Sequence, residues 1–288
     1  MWNNSSDAEV GPSVNGTSVG VNGSAQQILN VILPFMLALV IFALGCSVEF
    51  GKVWYHLQRP WGILVGLVCQ FGLMPLIAFL LGLAFRVTAL QAVAILIMGC
   101  CPGGIISNIL THWVDGDISL SIAMTTCSTL LGLGMMPLCL YVYSHFGMKT
   151  GNVQIPYLNI AITVVSMVVP VACGVLVGSV VGCLVLTLAA IASVVQYRGS
   201  WNIEVSVLII GMIFPMIGYA VGFIISIIVQ QPWPRCRTIA LETGAQNCPI
   251  SVTVLQLSFP AEQLVQMFTF PLIYASFQLL SGLLLAIG

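Results

Sequence analysis

Long apolar runs alternate with short polar connections from residue 27 to residue 288, whereas residues 1–26 are largely polar. Several of the apolar runs exceed the roughly 20 residues that a helix needs to cross about 30 Å of hydrocarbon. Hydropathy and helix-breaking residues together predict an all-α, polytopic membrane protein with about nine transmembrane helices. The predicted spans are 27–48, 61–84, 88–111, 119–144, 157–177, 180–195, 203–229, 238–259 and 264–288. We therefore expect residues 27–288 to form one transmembrane domain.

The prediction has one irregular region, between Tyr157 and Val195. These 39 residues contain no charged side chain. As one helix they would measure about 58 Å, which is nearly twice the thickness of the hydrocarbon core. We therefore predict two spans joined by a tight turn near Gly178 and Ser179. A single span here would instead reduce the total to eight and invert the orientation of every later segment.

The composition indicates the same environment, because 59% of the residues are hydrophobic and only 5% are charged. A soluble domain carries about 25% charged residues. The formal net charge is -1 and no basic run is present, so nucleic acid is excluded as a partner. The lipid bilayer is the expected surrounding of this chain.

The polar segment 1–26 lacks the basic start and apolar core of a cleaved signal peptide. It carries Asn-x-Ser/Thr patterns, which favour an extracellular, glycosylated tail. An external N-terminus places the loops 49–60 and 230–237 in the cytoplasm, where their basic residues follow the positive-inside rule. The expected glycosylation sites are Asn3, Asn4, Asn15 and Asn22.

Two short runs place helix-breaking and polar residues within apolar segments. They are Cys101-Pro102-Gly103-Gly104 and Glu242-Thr243-Gly244-Ala245-Gln246-Asn247. Lipid cannot satisfy backbone groups that a broken helix exposes, so such a break survives only where protein encloses it. One interrupted segment in each half of a chain is typical of the binding centre of a secondary transporter.

Glu242 is the acidic residue that lies well inside the apolar region of the second half. An ionised carboxylate in hydrocarbon costs several kcal/mol, so it normally faces a cavity or a cation. Gln246 and Asn247 follow closely and supply further oxygens, which suit a hard cation such as sodium. The alternative is a carboxylate at the membrane interface that pairs with Arg235 and Arg237.

The first half offers matching oxygens on Ser107 and Asn108, directly after the first break. Ordinary interhelical hydrogen bonding is the alternative for both. Ser121 and Thr125 are four residues apart and therefore share a helix face. Each of these hydroxyls could instead bond back to its own helix. Gln70 is a further isolated amide at membrane depth.

Other polar groups favour no additional chemistry. Asp115-Gly116-Asp117 lacks the later ligands of a calcium loop and predicts a turn that caps a helix. The ten cysteines show no metal-binding spacing and are expected to be packing residues. We find neither a nucleophile–base set nor a phosphate-binding loop, so we expect neither an enzyme nor an ATP-driven pump.

Beyond these single residues, a series of motifs resembles the bile acid:sodium symporter family, from about residue 28 to the end of the chain. The motifs are Gly45-Cys46-Ser47-Val48-Glu49, Arg59-Pro60-Trp61-Gly62, Cys69-Gln70-Phe71-Gly72-Leu73-Met74-Pro75, Met98-Gly99-Cys100-Cys101-Pro102-Gly103-Gly104, Trp113-Val114-Asp115-Gly116-Asp117, Met124 through Leu130, Gly134-Met135-Met136-Pro137-Leu138-Cys139, Arg235-Cys236-Arg237-Thr238 and Glu242 through Asn247.

The resemblance implies a core domain and a panel domain built from inverted repeats, with the two broken helices crossing in the core. It also implies two sodium sites. The first would use Ser107, Asn108, Ser121, Thr125 and Glu242. The second would use Gln70, Glu242 and Gln246 with backbone carbonyls around Thr243 and Ala245.

The function that the resemblance implies is sodium-coupled import of bile acids and related amphipathic organic anions by alternating access. Na⁺ would be the coupling ion, and no cofactor is expected. The protein would be a multi-pass protein of the plasma membrane with an external N-terminus, and a homo-oligomer is compatible with this. Two alternatives remain open, namely a transporter of sulfated steroids and a truncated form that does not transport.

Three departures from the family pattern lead to specific expectations. A basic cytoplasmic stretch is missing near 177–178, between the spans 157–177 and 180–195, and we expect this to be a deletion. The cytoplasmic tail is expected to be missing after Gly288. Pro249 stands where the family usually carries Gln, and we expect it to bend the helix just past the sodium ligands.

Overall fold

The computed structural model describes residues 42, 50–58, 60–146, 155–166 and 204–287. All of them fall in the larger of two compact units, which covers Met36–Gly288. The predicted span 27–48, apart from residue 42, lies outside the described residues, as do the span 180–195, the turn near Gly178 and the glycosylation sites. The expected deletion near 177–178 lies outside them as well.

Every regular element in the described ranges is helical, as the sequence predicted. The α-helices are α1 (Phe50–Leu57), α2 (Trp61–Val68), α3 (Met74–Ala84), α4 (Ala89–Cys100), α5 (Ile105–Trp113), α6 (Ile118–Phe146), α7 (Tyr157–Ser166), α8 (Val205–Ile228), α9 (Trp233–Gly244), α10 (Cys248–Ser258), α11 (Ala261–Met267) and α12 (Thr269–Ile287). A π-helical turn, Cys69–Leu73, joins α2 to α3.

Four helical runs among the described residues are long and apolar enough to cross a membrane: Trp61–Ala84, Ile118–His145, Val205–Ile228 and Thr269–Ala286. The first three match predicted spans to within a few residues. The fourth differs from the predicted span 264–288, because Phe268 separates the short helix α11 from α12. The predicted spans 88–111 and 238–259 are each divided into two helices, α4 with α5 and α9 with α10.

Local sequence explains the bounds of the first divided helix. Thr88 opens α4 with a capping box: its hydroxyl accepts from the Gln91 N–H at 3.4 Å, and its own N–H donates to Gln91 Oε1 at 3.0 Å. The helix stops at Cys100 because Pro102 disfavours a helical conformation at Cys101, which is extended. The local sequence therefore explains the first helix break.

The π-helical turn determines where Gln70 lies. The N–H of Met74 donates to the carbonyl of Cys69, five residues earlier, which widens the helix by one residue at this point. Gln70 is buried there, with 2% of its surface exposed. π-Helical turns of this kind occur frequently at functional sites.

Small residues bring α8 very close to the second divided helix. A Cβ atom on Gly218 would lie 2.8 Å from the Cα of Gly244, and one on Gly222 would lie 2.8 Å from Thr243 Oγ1. Glycine is thus required at both positions by close backbone approach, as is common between membrane helices. This packing fixes the end of α9, where Glu242 and Thr243 lie.

Candidate functional site

The two broken segments meet and pair through their backbones. The Gly104 N–H donates to the Ala245 carbonyl at 2.8 Å, and the Asn247 N–H donates to the Pro102 carbonyl at 3.0 Å. Gly103 and Gln246 lie opposite each other as an isolated antiparallel bridge. Each break therefore satisfies backbone groups of the other at a depth where lipid could not. We call this pairing the crossing.

Glycine is required at the crossing by the same close approach. A Cβ atom on Gly104 would lie 2.7 Å from the backbone carbonyl oxygen of Gln246, and one on Gly103 would collide with the carboxylate of Glu242. A side chain at either position would force the two segments apart. The absence of side chains at these positions brings Glu242 directly against the first break.

The carboxylate of Glu242 is surrounded by hydroxyl groups from two other helices. Ser107 of α5 donates to its Oε2 atom at 2.5 Å, and Ser121 of α6 lies 3.2 Å from the same atom. Thr125 of α6 donates to Oε1 at 2.5 Å. Glu242 is 2% exposed, so these contacts replace its hydration.

The alternative prediction, in which Glu242 pairs with the two arginines, is wrong. Arg235 Nε donates to Asp117 Oδ2 at 3.3 Å, and Arg237 Nη1 donates to the Val114 carbonyl at 2.8 Å. Both arginines lie in the first turns of α9, whereas Glu242 is near its end. The carboxylate instead faces the hydroxyls of α5 and α6.

Asn108 adds a further acceptor to this group. Its Oδ1 atom lies 2.7 Å from Ser121 Oγ and 3.3 Å from Thr125 Oγ1. The hydroxyl of Ser107 also lies 2.6 Å from the Gly104 carbonyl. Each of these three hydroxyls carries one hydrogen yet lies against two acceptor oxygens. The cluster therefore has more acceptor lone pairs than hydrogens to fill them. Such a group of oxygen atoms suits a hard cation as its ligands.

Neighbouring hydroxyls on α6 behave differently. Thr126 donates to the Ile122 carbonyl at 2.8 Å, and Thr129 donates to the Thr125 carbonyl at 2.7 Å. These bonds are the back-bonding expected of a single hydroxyl in a helix. The side chains of Ser121 and Thr125, by contrast, face Glu242, so the helix face predicted from their spacing is confirmed.

The residues predicted for the second sodium site also come together, with one exception. Gln70 Nε2 lies 2.7 Å from the Cys101 carbonyl and 2.7 Å from Gln246 Oε1. Gln246 Nε2 donates to the Thr243 carbonyl at 3.0 Å, while the Ala245 carbonyl is already bonded at the crossing. Among the described residues, Gln70 Oε1 is buried without a partner.

The exception is Glu242, whose carboxylate, within the described part of the chain, bonds only to residues of the first predicted site. The two sets are nevertheless adjacent, because Glu242, Thr243 and Gln246 belong to one short stretch of chain. Gln70 Oε1 is the open acceptor that a cation in the second set could use.

Three residues near the crossing were not among the site residues predicted from the sequence. Ser128 Oγ accepts from the Gly103 N–H at 3.2 Å. Tyr274 donates its hydroxyl to the Gly244 carbonyl at 2.8 Å, and Tyr219 donates to the Gln278 carbonyl at 2.7 Å. A tyrosine in an apolar helix needs a partner for its hydroxyl, and this need is the sequence signal for the two tyrosines.

Pro249 does not have the predicted effect. The helix α10 begins at Cys248 and is capped by Asn247, whose side chain accepts from the Ile250 N–H at 3.2 Å. Pro249 therefore occupies the first turn, where a missing N–H costs no helical hydrogen bond. The expected bend assumed a helix that continued through this position, and that expectation is wrong.

A cavity of about 750 Å³ lies between α5, α8, α9 and α12. Most of its walls are apolar, with Phe223, Leu241 and Leu284 among them, and Asp115 and Arg237 are its charged lining residues. Tyr219 also lines the cavity and packs against Gly244 at the crossing. The size and apolar lining are typical of sites that take a drug-sized ligand.

Broken helices that cross around buried oxygen ligands define a secondary transporter, and comparison with known proteins agrees with this class. The model of the sodium bile acid symporter family matches residues 34–223. A sodium-dependent organic anion transporter of Homo sapiens is 52% identical over an alignment of 279 residues that covers 92% of this chain and 74% of that protein.

Ileal sodium/bile acid cotransporters are similarly related. That of Oryctolagus cuniculus is 50% identical over an alignment of 272 residues that covers 90% of this chain and 78% of that protein. That of Homo sapiens is 49% identical with the same coverage. The chain belongs to the sodium bile acid symporter family. The predicted resemblance is thereby confirmed, as is the expectation of a sodium-coupled transporter rather than an enzyme.

Proposed function

We propose that this protein imports bile acids and related amphipathic organic anions in symport with sodium, by alternating access. The observation that carries the proposal is the oxygen cluster around Glu242, in which every hydroxyl faces two acceptors. A sodium ion would satisfy the unused lone pairs and neutralise the buried carboxylate. The names of the related transporters support both the ion and the substrate class.

In the first sodium site, Ser107, Asn108, Ser121, Thr125 and Glu242 would hold the ion. These residues come from α5, α6 and α9, so binding ties the two broken helices to α6. Without the ion, the carboxylate would carry an uncompensated charge in a dry environment, which favours separation of these elements. Sodium would therefore organise the crossing before the organic anion binds.

In the second site, Gln70, Gln246 and carbonyls of Thr243 and Ala245 would hold a further sodium ion beside Glu242. The unpartnered Gln70 Oε1 supports this assignment. Binding there would replace the present bond between the two glutamine side chains with bonds from both oxygens to the ion.

The substrate's two ends match two features of the protein. The helices α5 and α10 both begin at the crossing, and their N-terminal dipole ends favour an anionic headgroup. The cavity of about 750 Å³ supplies apolar walls of the kind that suits a steroid body. We infer that the cavity forms part of the route of the substrate.

The proposed architecture has nine transmembrane helices arranged as core and panel domains with inverted repeats. The meeting of one broken helix from each half in an antiparallel bridge supports the inverted relationship. We further propose that residues 1–26 form an extracellular, glycosylated tail and that residues 27–288 form the transporter domain in the plasma membrane. Glycosidase treatment of intact cells tests the orientation of the tail.

The direct experiment is taurocholate uptake in transfected cells, with and without sodium. The Glu242→Gln variant removes the charge that the ion neutralises, so we expect uptake above background to be lost. Glu262→Gln is the matched control, because Glu262 is exposed and lies in the first turn of α11. Uptake that persists unchanged without sodium or with Glu242→Gln would refute the mechanism.

Two alternatives are decided in the same cells. A preference for sulfated steroids is favoured by the organic anion transporter among the relatives, and competition between estrone sulfate and taurocholate measures it. The second alternative is a truncated form that does not transport. It predicts intracellular retention, which surface biotinylation detects together with immature, glycosidase-sensitive glycans.

A further inference from the structure

A second set of polar contacts joins α6 to α9 outside the oxygen cluster. The backbone N–H of Asp117 donates to Thr238 Oγ1 at 2.8 Å, and the Asp117 carboxylate accepts from Arg235 Nε at 3.3 Å. Thr238 Oγ1 also lies 2.9 Å from the Pro234 carbonyl. We call Asp117, Thr238 and Arg235 the clasp.

The clasp lies one helical turn before the oxygen cluster on both helices. The Asp117 carbonyl accepts from the Ser121 N–H at 3.0 Å, which is the first bond of the α6 backbone ladder. Thr238 precedes Glu242 by four residues, and it therefore shares a face of α9 with the carboxylate. About 5.4 Å of helix separates the clasp from the cluster on each side.

Gly116 is required for the clasp to close. A Cβ atom at this position would lie 2.8 Å from Thr238 Oγ1 and 2.7 Å from Thr111 Cγ2. The turn before α6 therefore holds Thr238 against the backbone of Asp117 only because residue 116 has no side chain. In addition, Asp117 Oδ1 accepts from the Leu120 N–H at 3.0 Å, which anchors the first turn of α6.

We propose that the clasp sets the affinity of the first site for sodium by fixing α6 relative to α9, an inference that rests on the proposed function. The hydroxyls of Ser121 and Thr125 belong to α6, and the carboxylate of Glu242 belongs to α9. A cation needs its oxygens within a few tenths of an ångström of their ideal distances, so a shift between the two helices weakens binding. The clasp residues act through the ligands and are positioning residues.

The test measures the sodium concentration that gives half-maximal uptake, normalised to protein at the cell surface. Thr238→Val keeps the shape of the side chain but removes the hydroxyl, and Gly116→Ala wedges the turn open. We expect each to raise this concentration about tenfold, while the substrate KM at saturating sodium stays unchanged. Thr238→Ser restores the hydroxyl and should restore the wild-type value.

Gly134→Ala is the matched control for Gly116→Ala, because a Cβ atom on Gly134 of α6 meets nothing within 4 Å. It should leave the sodium dependence unchanged. Asp117→Asn provides a second variant if Thr238→Val does not reach the surface, since asparagine still caps α6 but loses the charge facing Arg235. We expect an increase of about threefold for Asp117→Asn, because a partly exposed ion pair contributes little.

A merely structural clasp would lower surface expression or maximal rate and leave the half-maximal sodium concentration at the wild-type value, which would overturn the proposal. Glu242→Gln in the same assay separates this outcome from failure of the proposed function. If Glu242→Gln abolishes sodium-dependent uptake while the surface-expressed clasp variants keep wild-type sodium dependence, only the clasp proposal fails. If Glu242→Gln transports normally, the proposed function fails as well.

Discussion

Gln70 and Gln246 are 176 residues apart in the chain, yet Nε2 of the first lies 2.7 Å from Oε1 of the second. The contact joins the π-helical turn after α2 to the second break. Both side chains are buried, so neither amide has water as an alternative partner. The crossing is therefore held by side chains as well as by its backbone pairing.

Removal of the second amide should weaken the crossing and the second sodium site together. We expect Gln246→Ala to reduce taurocholate uptake at physiological sodium by about tenfold or more, because Gln70 loses one of its two partners and the Thr243 carbonyl loses a donor. Gln266→Ala is the control, since Gln266 is an exposed glutamine on α11. Equal uptake by the two variants would contradict a role for Gln246.

Gly104→Ala should separate the broken segments. Its Cβ would lie 2.7 Å from a backbone oxygen that cannot move without breaking the crossing. We expect a loss of about 1–3 kcal/mol in stability, seen as a lower melting temperature in detergent and less protein at the surface. Gly82→Ala is the comparison, because its Cβ would meet only Ala92 Cβ at 3.8 Å. A melting temperature equal to that of Gly82→Ala would show that the two broken segments do not pack closely at Gly104.

Pro249→Ala should be tolerated, because residue 249 lies in the first turn of α10 and donates no helical hydrogen bond. We expect uptake within about twofold of wild type and a stability change under about 1 kcal/mol. Uptake and thermal unfolding in detergent measure both quantities. A large gain in transport on substitution would mean that the proline distorts the neighbouring ligands, contrary to the geometry of the cap.

His56 should make the packing of α1 against α6 sensitive to acid. Burial lowers the pKa of His56 below its ordinary value of 6.5, the nearby Asp117 carboxylate raises it in part, and Arg235 lowers it. His56 Nε2 lies 3.2 Å from Ser119 Oγ, which joins α1 to the first turn of α6. A lowered pKa means that the unfolded chain binds protons first, so stability falls as the pH drops through 6.5 and below.

We therefore expect limited proteolysis between α1 and α2 to accelerate below pH 6.5 in the wild type. His56→Gln keeps a hydrogen-bonding group without a titratable ring, and its cleavage rate should not change over this pH range. His112→Gln is the control, because His112 is an exposed histidine at the end of α5. A pH step that survives in His56→Gln would assign the sensitivity to another group.

Single residues explain how far the sequence could predict this site. Ser107, Asn108 and Glu242 were candidates because polar groups beside helix breaks in an apolar segment are typical of a site, with interhelical hydrogen bonding as the alternative for the first two. Helical spacing put Ser121 and Thr125 on one helix face, and the family resemblance implied their place in the site. The end of α4 at the first break was likewise visible, since Pro102 restricts the conformation of the residue before it.

Contacts set by tertiary structure were not predictable in this way. The choice of Asp117 over Glu242 as the partner of Arg235 depends on how α6 and α9 are placed, as does the use of Ser128 to satisfy the Gly103 N–H. The effect of Pro249 depended on the residue at which α10 restarts. In these cases the sequence pattern does not select the partner or the first residue of the helix, and the packing of the helices does.

The backbone pairing at the crossing also sets an order for biogenesis. The Gly104 N–H and the Pro102 carbonyl find their partners in residues 245 and 247, more than a hundred residues later in synthesis. Until the second break has been made and inserted, the first must stay close to water, the translocation machinery or another temporary donor and acceptor. Maturation of the first half thus depends on synthesis of the second, and the pairing at the crossing forms only after residue 247 has been made.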